Sequence, residues 1–518
     1  MPAPVAKHSE PARPIEPTKA IEPTASLRPI APARFGVDQA RHLLLRAGFG
    51  AEPDEVARVA ELGPVVAVDQ LFDFPSSPPG IGRPFRSDLI REWTEDERRQ
   101  LRRARDRRDE DALAQLRKKR QQMQRADRSQ FTDLQTWWLG QLIESPHPLQ
   151  EKMTLFWHGH FATSYRGVEN SYHLFLQNQL FRRHAVGRFD ALLHAIVHDP
   201  AMLASLNNNQ SRKAKPNENL ARELMELFSL GVGAYSETDI KEGARALTGY
   251  TFAGNSFHFR QRWHDGDTKT ILGVRGQLDG DDFVSGILRQ PACAQFITTK
   301  LYRYFVADVP GDPKSVSGSA RRVIDRLAST LRRGRYDLKP MLRELFLSEH
   351  FYDGAIIGHR IKSPIELIVG ASRTLKLPTP QRMSLLHQMG QMGQRLFLPP
   401  SVAGWEGGRT WINTSTLFAR QNALAFMIFG NKQRLFHRSG SYDPRDIAAR
   451  WRGLGTRAFA EALLAHALGP IGAADHPVGS VRLKALLAFL DNVGGELTPD
   501  VARGMLALVA TMPEYQLC

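Results

Sequence analysis

The stretch that decides the fold class runs from residue 217 to residue 250 and reads NENLARELMELFSLGVGAYSETDIKEGARALTGY. Its apolar residues recur every three or four positions in two blocks, which is the period of an amphipathic α-helix. Pro216 precedes the first block and Gly231 ends it. Ser236 begins the second block as an N-cap, and Asp239 three positions later completes a variant of the capping box. The stretch therefore predicts two helices joined by a short turn.

Helical spacing also fills most of the chain on both sides of this pair of helices, beginning with VDQARHLLLRAGFG at residues 37–50. The texture changes only between about 250 and 275. There FHFRQRW (257–263) alternates, HDGDTK has the composition of a turn, and TILGV (270–274) fits a short return strand. We therefore expect a mainly α protein, a multi-helical array with one small β-hairpin and a disordered N-terminal tail.

A chain of 518 residues is too long for one ordinary core, so we expect several domains or subdomains. Changes in composition divide it into five parts. They are a disordered Pro/Ala-rich tail (1–33), N-terminal helices (34–90), an exposed charged helix (91–130), a helical core with the candidate site (131–436) and a helical C-terminal subdomain (437–518).

The charged segment 91–130 holds 14 Arg and Lys against nine Asp and Glu, with few apolar residues. Mixed signs at helical spacing favour a solvent-exposed helix crossed by i,i+4 ion pairs. The alternative is an arm that grips an acidic partner. The whole chain has a formal charge of +15, but its arginines are spread along the sequence, so nucleic-acid binding is the less favoured interpretation.

Cysteine content and hydropathy limit the class of protein further. The two cysteines, Cys293 and Cys518, exclude a disulfide framework and a thiolate-rich metal site, although one bridge between them stays open. Cys293 lies in an apolar setting typical of an inert core thiol. The sequence contains no secretory apolar segment and no transmembrane stretch, so we expect a cytoplasmic protein.

A pair of histidines, His158 and His160 in FWHGHF, is the first candidate for metal ligation. On an extended or frayed segment both imidazoles point to one side, as a metal site requires. On a regular helix the two rings diverge by about 200°, which disfavours joint ligation. The alternative is a helix-end pair that packs beside Trp157 and Phe161.

Two pairs of acids lie on the predicted helical hairpin. Glu223 and Glu226 share one helical face and are surrounded by apolar residues, and Asp239 and Glu242 repeat the spacing on the next helix. Buried carboxylates are paired, protonated or bound to a cation, so the candidates are ion pairing, a metal site or acid–base catalysis. Within the catalytic alternative we assign Glu223 and its neighbour Arg222 to the reaction.

His264 and Asp265, at the tip of the predicted β-hairpin, add one imidazole and one carboxylate. Asp265 is also a typical turn residue. Mixed nitrogen and oxygen ligands suit zinc, manganese or iron, and such an ion could activate water. The predicted divalent-metal ligands are His158, His160, Glu226, His264 and Asp265.

A Gly- and Trp-rich loop, GWEGGRTWINTSTL (404–417), is the second candidate for ligand binding. Trp405, Arg409, Trp411 and Asn413 combine aromatic faces with a guanidinium and an amide, which suits carbohydrate or another polar ligand. A structural role, with the tryptophans holding an interdomain loop, is the alternative. The sequence has no phosphate-binding P-loop, no strand-linked G-x-G-x-x-G and no G-x-S-x-G nucleophile motif.

Several stretches resemble the bacterial family catalogued as domain of unknown function number 1800. They span residues 36–518. The resemblance implies a predominantly helical fold with no assigned reaction. It also implies a possible partner, because members are often encoded beside a second family similar to alkaline phosphatases and sulfatases. The resembling strings are RHLLLRAGFG, FWHGHFATS, the helical hairpin 217–250, DGDDFVSGILRQPACAQFITTKLYRYFV, IKSPIELIVG, PPSVAGWEGGRTWINTSTL and PEYQLC.

Three functions are consistent with these observations. The first is a metal-dependent enzyme that acts on a polymer or its fragments, supported by the His and acid inventory and the Trp/Arg loop. The second is a non-catalytic accessory or scaffold protein for the phosphatase- or sulfatase-like partner, supported by the arginine-rich segment. The third is nucleic-acid binding, which requires affinity that falls steeply with salt.

Overall fold

The computed structural model of the protein describes residues 22–75, 85–377, 379, 382–430 and 453–518. Within these ranges the chain forms 22 α-helices and two antiparallel two-stranded sheets, so the expected mainly α fold is confirmed. The helices of the first half are α1 (Val37–Arg46), α2 (Pro53–Glu61), α3 (Gly63–Leu71), α4 (Glu95–Asp106), α5 (Glu110–Glu144), α6 (Pro148–His160), α7 (Tyr165–Val168), α8 (Ser171–Arg183), α9 (Phe189–Val197), α10 (Pro200–Ser205), α11 (Asn219–Glu226) and α12 (Glu237–Ala246).

The strands follow α12 and are β1 (Tyr250–Ala253), β2 (Ser256–Phe259), β3 (Lys269–Ile271) and β4 (Val274–Gly276). The remaining helices are α13 (Gly280–Arg289), α14 (Pro291–Phe305), α15 (Gly318–Arg333), α16 (Leu338–Leu347), α17 (Pro364–Leu375), α18 (Arg382–Gln391), α19 (Thr414–Phe429), α20 (Thr456–Leu468), α21 (Pro477–Asn492) and α22 (Pro499–Thr511). None of these helices is both long enough and apolar enough to cross a membrane.

The pair α11–α12 is the predicted helical hairpin. Ser236 accepts a hydrogen bond from the backbone N–H of Asp239, and the carboxylate of Asp239 accepts one from the N–H of Ser236, so both halves of the capping box form. Gly231, between the helices, has a φ of 78°. A positive φ costs glycine little, which explains why the first helix ends before this residue.

The β structure has a different pairing from the predicted hairpin. β1 pairs with β2 and β3 pairs with β4, whereas the sequence predicted a pairing of residues 257–263 with residues 270–274. Each pair of strands is instead joined by its own two-residue turn. In the second turn Leu272 and Gly273 have φ values of 48° and 81°, which is typical of a tight hairpin turn with two positive φ angles.

The charged segment forms two helices that pack against each other, α4 and the first half of α5. The carboxylate of Glu97 is buried and accepts hydrogen bonds from Arg91 at 2.7 and 2.9 Å, and it lies 2.5 Å from the amine of Lys119. α5 then continues through the division drawn at residue 130 and ends at Glu144, because Leu134, Trp138 and other apolar residues of its second half are buried in the core.

The core consists of two apolar clusters. One joins α1–α3 with α8–α16, and the other joins the second half of α5 with α17–α22. α6 lies between them, and every residue from Leu149 to His158 is buried. Residues 431–452, which include the start of the proposed C-terminal subdomain, are outside the described ranges. The helices that follow them share the second cluster with α17–α19.

The described part of the N-terminal segment contacts the core. Residues 1–21 of the predicted tail are outside the described ranges. Ile30 is buried and its N–H donates to the carbonyl of Leu347, while Pro29 forms a bridge with Ser348. Backbone pairing and one buried apolar side chain therefore extend the ordered structure beyond the start of α1.

Both cysteines are free and buried. Burial raises the pKa of the Cys293 thiol to about 12, so this residue is an unreactive core thiol under ordinary conditions. Cys518 lies elsewhere, within hydrogen-bond reach of the Arg46 and Arg360 guanidinium groups.

Candidate functional site

A cavity of about 150 Å³ lies among the C-terminal end of α6, α14, the start of α17 and the loop around Trp405. Its position is at the junction of the two apolar clusters, since α14 belongs to one and α17 to the other. The charged or basic residues on its walls are His160, Lys300, Arg303, Asp308, Arg360 and Glu406, and its aromatic residues are Phe156, Tyr304, Trp405 and Trp411.

His160 is the last residue of α6 and is held among aromatic rings, with the ring of Phe161 at 4.5 Å and that of Phe156 at 5.8 Å. Its Nε2 lies 2.9 Å from the carbonyl oxygen of Phe228. Because a carbonyl can only accept, Nε2 carries the proton and Nδ1 has a lone pair. Nδ1 is buried and has no hydrogen-bond partner. Burial, with a contribution from Lys300, lowers the pKa of His160 to about 3, so the ring is neutral at neutral pH.

The loop that covers the end of α6 approaches it backbone to backbone. Gly404 has a φ of 78°, and a Cβ atom built there would lie 2.1 Å from the carbonyl oxygen of Gly159. Only glycine allows this approach. The loop consequently places Trp405 against the last turn of α6, with its ring 5.7 Å from that of His158. The indole Nε1 of Trp405 is buried and has no hydrogen-bond partner.

Three cavity residues come from one face of α14. Lys300, Arg303 and Tyr304 are three or four positions apart in KLYRYF, so they project to the same side of the helix. Arg303 donates weakly, at 3.4 Å, to Asp308 and to the carbonyl of Glu406, which connects α14 to the loop. Lys300 has a lowered pKa of about 8, mainly through burial and also through Arg303.

Behind the cavity is a buried cluster of ion pairs. Arg360 makes a bidentate pair with Glu366 at 2.8 and 3.1 Å, and Lys152 donates to the same carboxylate at 2.6 Å. Arg46 is also buried nearby. Both Arg46 and Arg360 donate a hydrogen bond to the sulfur of Cys518. Arg46, Lys152 and Arg360 thus all interact with the charge of Glu366, and Arg360 is the one of these groups that also lines the cavity.

His158 belongs to the core and is not among the residues that line the cavity. Its Nε2 accepts a hydrogen bond of 3.0 Å from the N–H of Phe397, whose φ is 60°. Its ring contacts those of Trp138, Phe397 and Trp405. Burial lowers the pKa of His158 to about 3. On this helical segment the two histidines have separate partners, the N–H of Phe397 for His158 and the carbonyl of Phe228 for His160.

The predicted acids of the helical hairpin are half-buried, and Glu226, Asp239 and Glu242 have local partners, whereas no hydrogen bond or ion pair engages Glu223 among the described residues. Arg222 pairs with Glu237 and Glu218, and Glu226 accepts a hydrogen bond of 2.9 Å from the hydroxyl of Tyr235. Burial and the charge of Glu226 raise the pKa of Glu223. Neither glutamate is among the residues that line the cavity.

The predicted residues of the β region also have local partners. Asp265 pairs with Arg245 at 2.7 Å, and Arg245 also pairs with Glu242 at 2.9 Å. His264 lies 2.9 Å from the carbonyl of Thr248 through Nδ1. In the part of the chain that the structure describes, no group of three or more His, Cys, Asp or Glu side chains is arranged to hold a metal ion.

The four predicted loop residues separate into two pairs. Trp405 and Trp411 line the cavity, whereas Arg409 is exposed and outside its lining. Asn413 is the N-cap of α19, and its side-chain oxygen accepts a hydrogen bond from the N–H of Thr416. Its amide group therefore caps the N-terminus of α19.

The lining residues that were not predicted include Lys300, Arg303, Tyr304 and Arg360. The signal available for the first three is their shared face in an otherwise apolar helix, residues 296–305. Arg360 had no such signal, because its place at the cavity depends on a contact between segments far apart in the sequence.

When the chain is compared with other proteins, one family matches it. No curated protein and no solved structure matches the chain. The model of the family described as "Protein of unknown function (DUF1800)" matches residues 42–517, which include the whole second apolar cluster, all of the first cluster except Ile30, Phe35 and Ala40, and every residue of the cavity wall. The chain belongs to this family.

Proposed function

We propose that the cavity is the functional site and that it binds a small organic anion, or the anionic end of a larger molecule. The observation that carries this proposal is Lys300. Lys300 lines the cavity, and among the described residues no hydrogen bond or ion pair engages its ammonium, which lies 5.3 Å from the centre of the Phe296 ring. A half-buried cation without a counter-charge is costly, and an anionic ligand would remove that cost.

The neighbouring groups define what the ligand would carry. Trp405 has an unpaired N–H, which needs an acceptor, and His160 has an unpaired lone pair, which needs a donor. A ligand with both an oxygen anion and an O–H or N–H group would satisfy both. The neutral imidazole would orient that group, and Lys300, whose pKa is about 8, could exchange a proton with it. We therefore propose an acid–base enzyme acting on the bound anion, for example on a fragment of a polymer.

Thermal unfolding in the presence of acetate, inorganic phosphate or sulfate tests the proposal. A ligand at ten times its Kd stabilises the folded state by about 1.4 kcal/mol. We expect at least one of these anions to raise the Tm of the wild type, and glycerol at the same concentration to have no such effect.

The matched variants are Lys300→Gln and Lys118→Gln, the second at an exposed lysine of α5. We expect the anion-dependent rise in Tm to be lost in the first and kept in the second. An anion effect that survives in Lys300→Gln, or no effect of any anion on the wild type, contradicts the proposal.

A metal-dependent reaction is a second proposal, and His160 is the residue that favours it. A metal-binding imidazole commonly donates its other N–H to a carbonyl, as His160 does to Phe228, and leaves the second nitrogen for the metal. Elemental analysis of the purified protein is the test. Stoichiometric zinc, manganese or iron that disappears in His160→Ala would support it, and metal-free protein with unchanged activity would contradict it.

An accessory role is supported separately by α4. Arg102, Arg105 and Arg107 are exposed, and no ion pair engages them among the described residues. If this surface binds an acidic partner such as a phosphatase- or sulfatase-like protein, reversing these three charges would abolish co-purification without lowering the Tm. Unchanged co-purification would contradict the role.

A further inference from the structure

We propose that Lys300 forms a covalent imine with a carbonyl group of the bound anion, so that the site takes small oxo acids. This inference rests on the proposed anion-binding function and adds the ligand class and the reactive atom. The anion would lie between the charged form of Lys300, Arg303 and the indole N–H of Trp405, and its carbonyl carbon would face the amine of Lys300 when that amine is neutral.

Lys300 differs from the other lysines packed inside the molecule. Lys152 donates to Glu366 at 2.6 Å, Lys362 donates to the carbonyl of Tyr515 at 2.7 Å, and Lys269 donates to backbone carbonyls. Their amines are occupied by the fold. The amine of Lys300 lies 5.3 Å from the centre of the Phe296 ring and has no polar partner among the described residues. A nucleophile needs such an unengaged lone pair.

The surroundings keep part of this amine neutral. Burial and the neighbouring Arg303 lower its pKa to about 8, so about a tenth of the amine is uncharged at pH 7, far more than in an ordinary lysine. The other titratable groups on the cavity wall are His160, Tyr304, Asp308, Arg360 and Glu406. Asp308 already faces Arg303, and Glu406 is exposed at the edge of the loop.

The reaction balances with the protein and the carbonyl compound alone. The lone pair of the amine attacks the carbonyl carbon, a C–N bond forms, and the π electrons of the C=O bond move to oxygen. One proton passes from nitrogen to oxygen and gives a carbinolamine. The C–O bond then breaks, water leaves with a second proton from nitrogen, and a C=N bond remains. Both protons lost from nitrogen leave with the oxygen as water, so the step needs no further reactant.

Reductive trapping tests the proposal. The full chain is incubated with glyoxylate and sodium cyanoborohydride, which reduces an imine to a stable secondary amine, and modified lysines are located by peptide mass spectrometry. We expect Lys300 to be modified roughly 100-fold faster than the exposed Lys118 and Lys484, because an amine near pKa 8 has far more neutral form at neutral pH than an ordinary lysine. Its rate should rise with pH and level off above about 8.

Two controls separate this inference from the anion site itself. Propanal lacks the anion, so its preference for Lys300 should fall at least about tenfold relative to glyoxylate. Lys300→Arg keeps the positive charge but cannot form the imine, so the anion-dependent rise in Tm should persist while trapping at this position is lost. Modification of Lys300 no faster than of the exposed lysines, with the anion effect intact, overturns the imine and leaves anion binding standing. If no anion raises the Tm of the wild type, both the anion site and the imine are overturned.

Discussion

Gly404 is the residue at which the loop contacts α6. Its backbone conformation and its close contact each favour glycine for a separate reason. The φ of 78° disfavours any side chain, and a Cβ would in addition meet the carbonyl of Gly159 at 2.1 Å. Gly404→Ala should therefore lower the free energy of unfolding by at least about 2 kcal/mol. Thermal and urea unfolding measure the change.

Gly407→Ala is the matched control, because Gly407 has a φ of 81° but its added Cβ would meet nothing closer than 3.9 Å. It should show the conformational cost of about 1 kcal/mol without the clash. Equal decreases in the free energy of unfolding of the two variants would mean that the loop can move away from α6 at Gly404, so that the close approach is not required.

His158 is a buried neutral imidazole whose ionisation should weaken the fold. Its folded pKa is about 3, whereas an unfolded histidine titrates near 6.5. Between these values the unfolded chain binds a proton that the folded chain does not, so stability falls as the pH falls from 6.5 towards 3. The contribution is about 1.4 kcal/mol per pH unit.

Urea midpoints at pH 7.0 and pH 5.0 measure this effect in the wild type and in two variants. His158→Gln should be less stable at pH 7 but lose less on acidification than the wild type. His387→Gln, at an exposed position of α18, should keep the wild-type dependence. His160 also has a lowered pKa, so part of the dependence should remain, but an undiminished dependence in His158→Gln would contradict the buried neutral ring of His158.

At the scale of the element, the short helix α10 begins at a carboxylate, Asp199, whose charged form is disfavoured by burial. Asp199 caps it by accepting from the N–H of Met202 at 2.8 Å and also accepts from Gln177 at 2.7 Å. Burial nevertheless raises its pKa to about 7. The folded state therefore binds this proton more tightly than the unfolded state, and stability falls as the pH rises from about 4 through 7.

Asp199→Asn should remove this dependence, since asparagine is an equally good N-cap and carries no charge. Relative to the wild type, the variant should gain about 1 kcal/mol or more between pH 5 and pH 8. Differential scanning calorimetry at both pH values checks it. Asp54→Asn, in the first turn of α2 at the surface, is the comparison and should show no such gain.

Elements differ in how far the sequence could predict them. α11 and α12 were predictable because the apolar period of both helices and the capping box of α12 are local. The pairing of β1–β4 was not, since it depended on two separate two-residue turns. His160, Trp405 and Trp411 had been singled out in unrelated motifs, and the fold brings them to one cavity. Lys300 and Arg360 join them through tertiary packing, which no local pattern shows.

At the scale of the whole molecule, the cavity depends on how the two apolar clusters meet. α14 belongs to one cluster, α17 to the other, and α6 lies between them. Arg46 of α1 joins distant parts of the chain at this junction. Its guanidinium is fully buried and donates to the carbonyls of Phe305, Val306 and Cys518. These bonds connect the end of α1, the end of α14 and Cys518.

Arg46→Lys should consequently destabilise the whole molecule and not one helix. A lysine amine cannot reproduce the planar fork that reaches three carbonyls, and the unpaired groups would remain buried, so we expect a loss of about 3 kcal/mol or more. Arg41→Lys on the same helix is the matched control. Arg41 pairs with the partly exposed Asp38 at 3.1 Å, and its loss should stay below about 1 kcal/mol.

Hydrogen exchange distinguishes a global effect from a local one. If Arg46 holds the junction, the variant should lose protection in α1, α14 and α17 together, and the anion-dependent rise in Tm should fall with it, because these elements build or support the cavity wall. Loss of protection confined to α1 would show that the two clusters hold together without Arg46. The cavity would then depend on the contact of α6 with the Gly404 loop, which the Gly404→Ala variant tests separately.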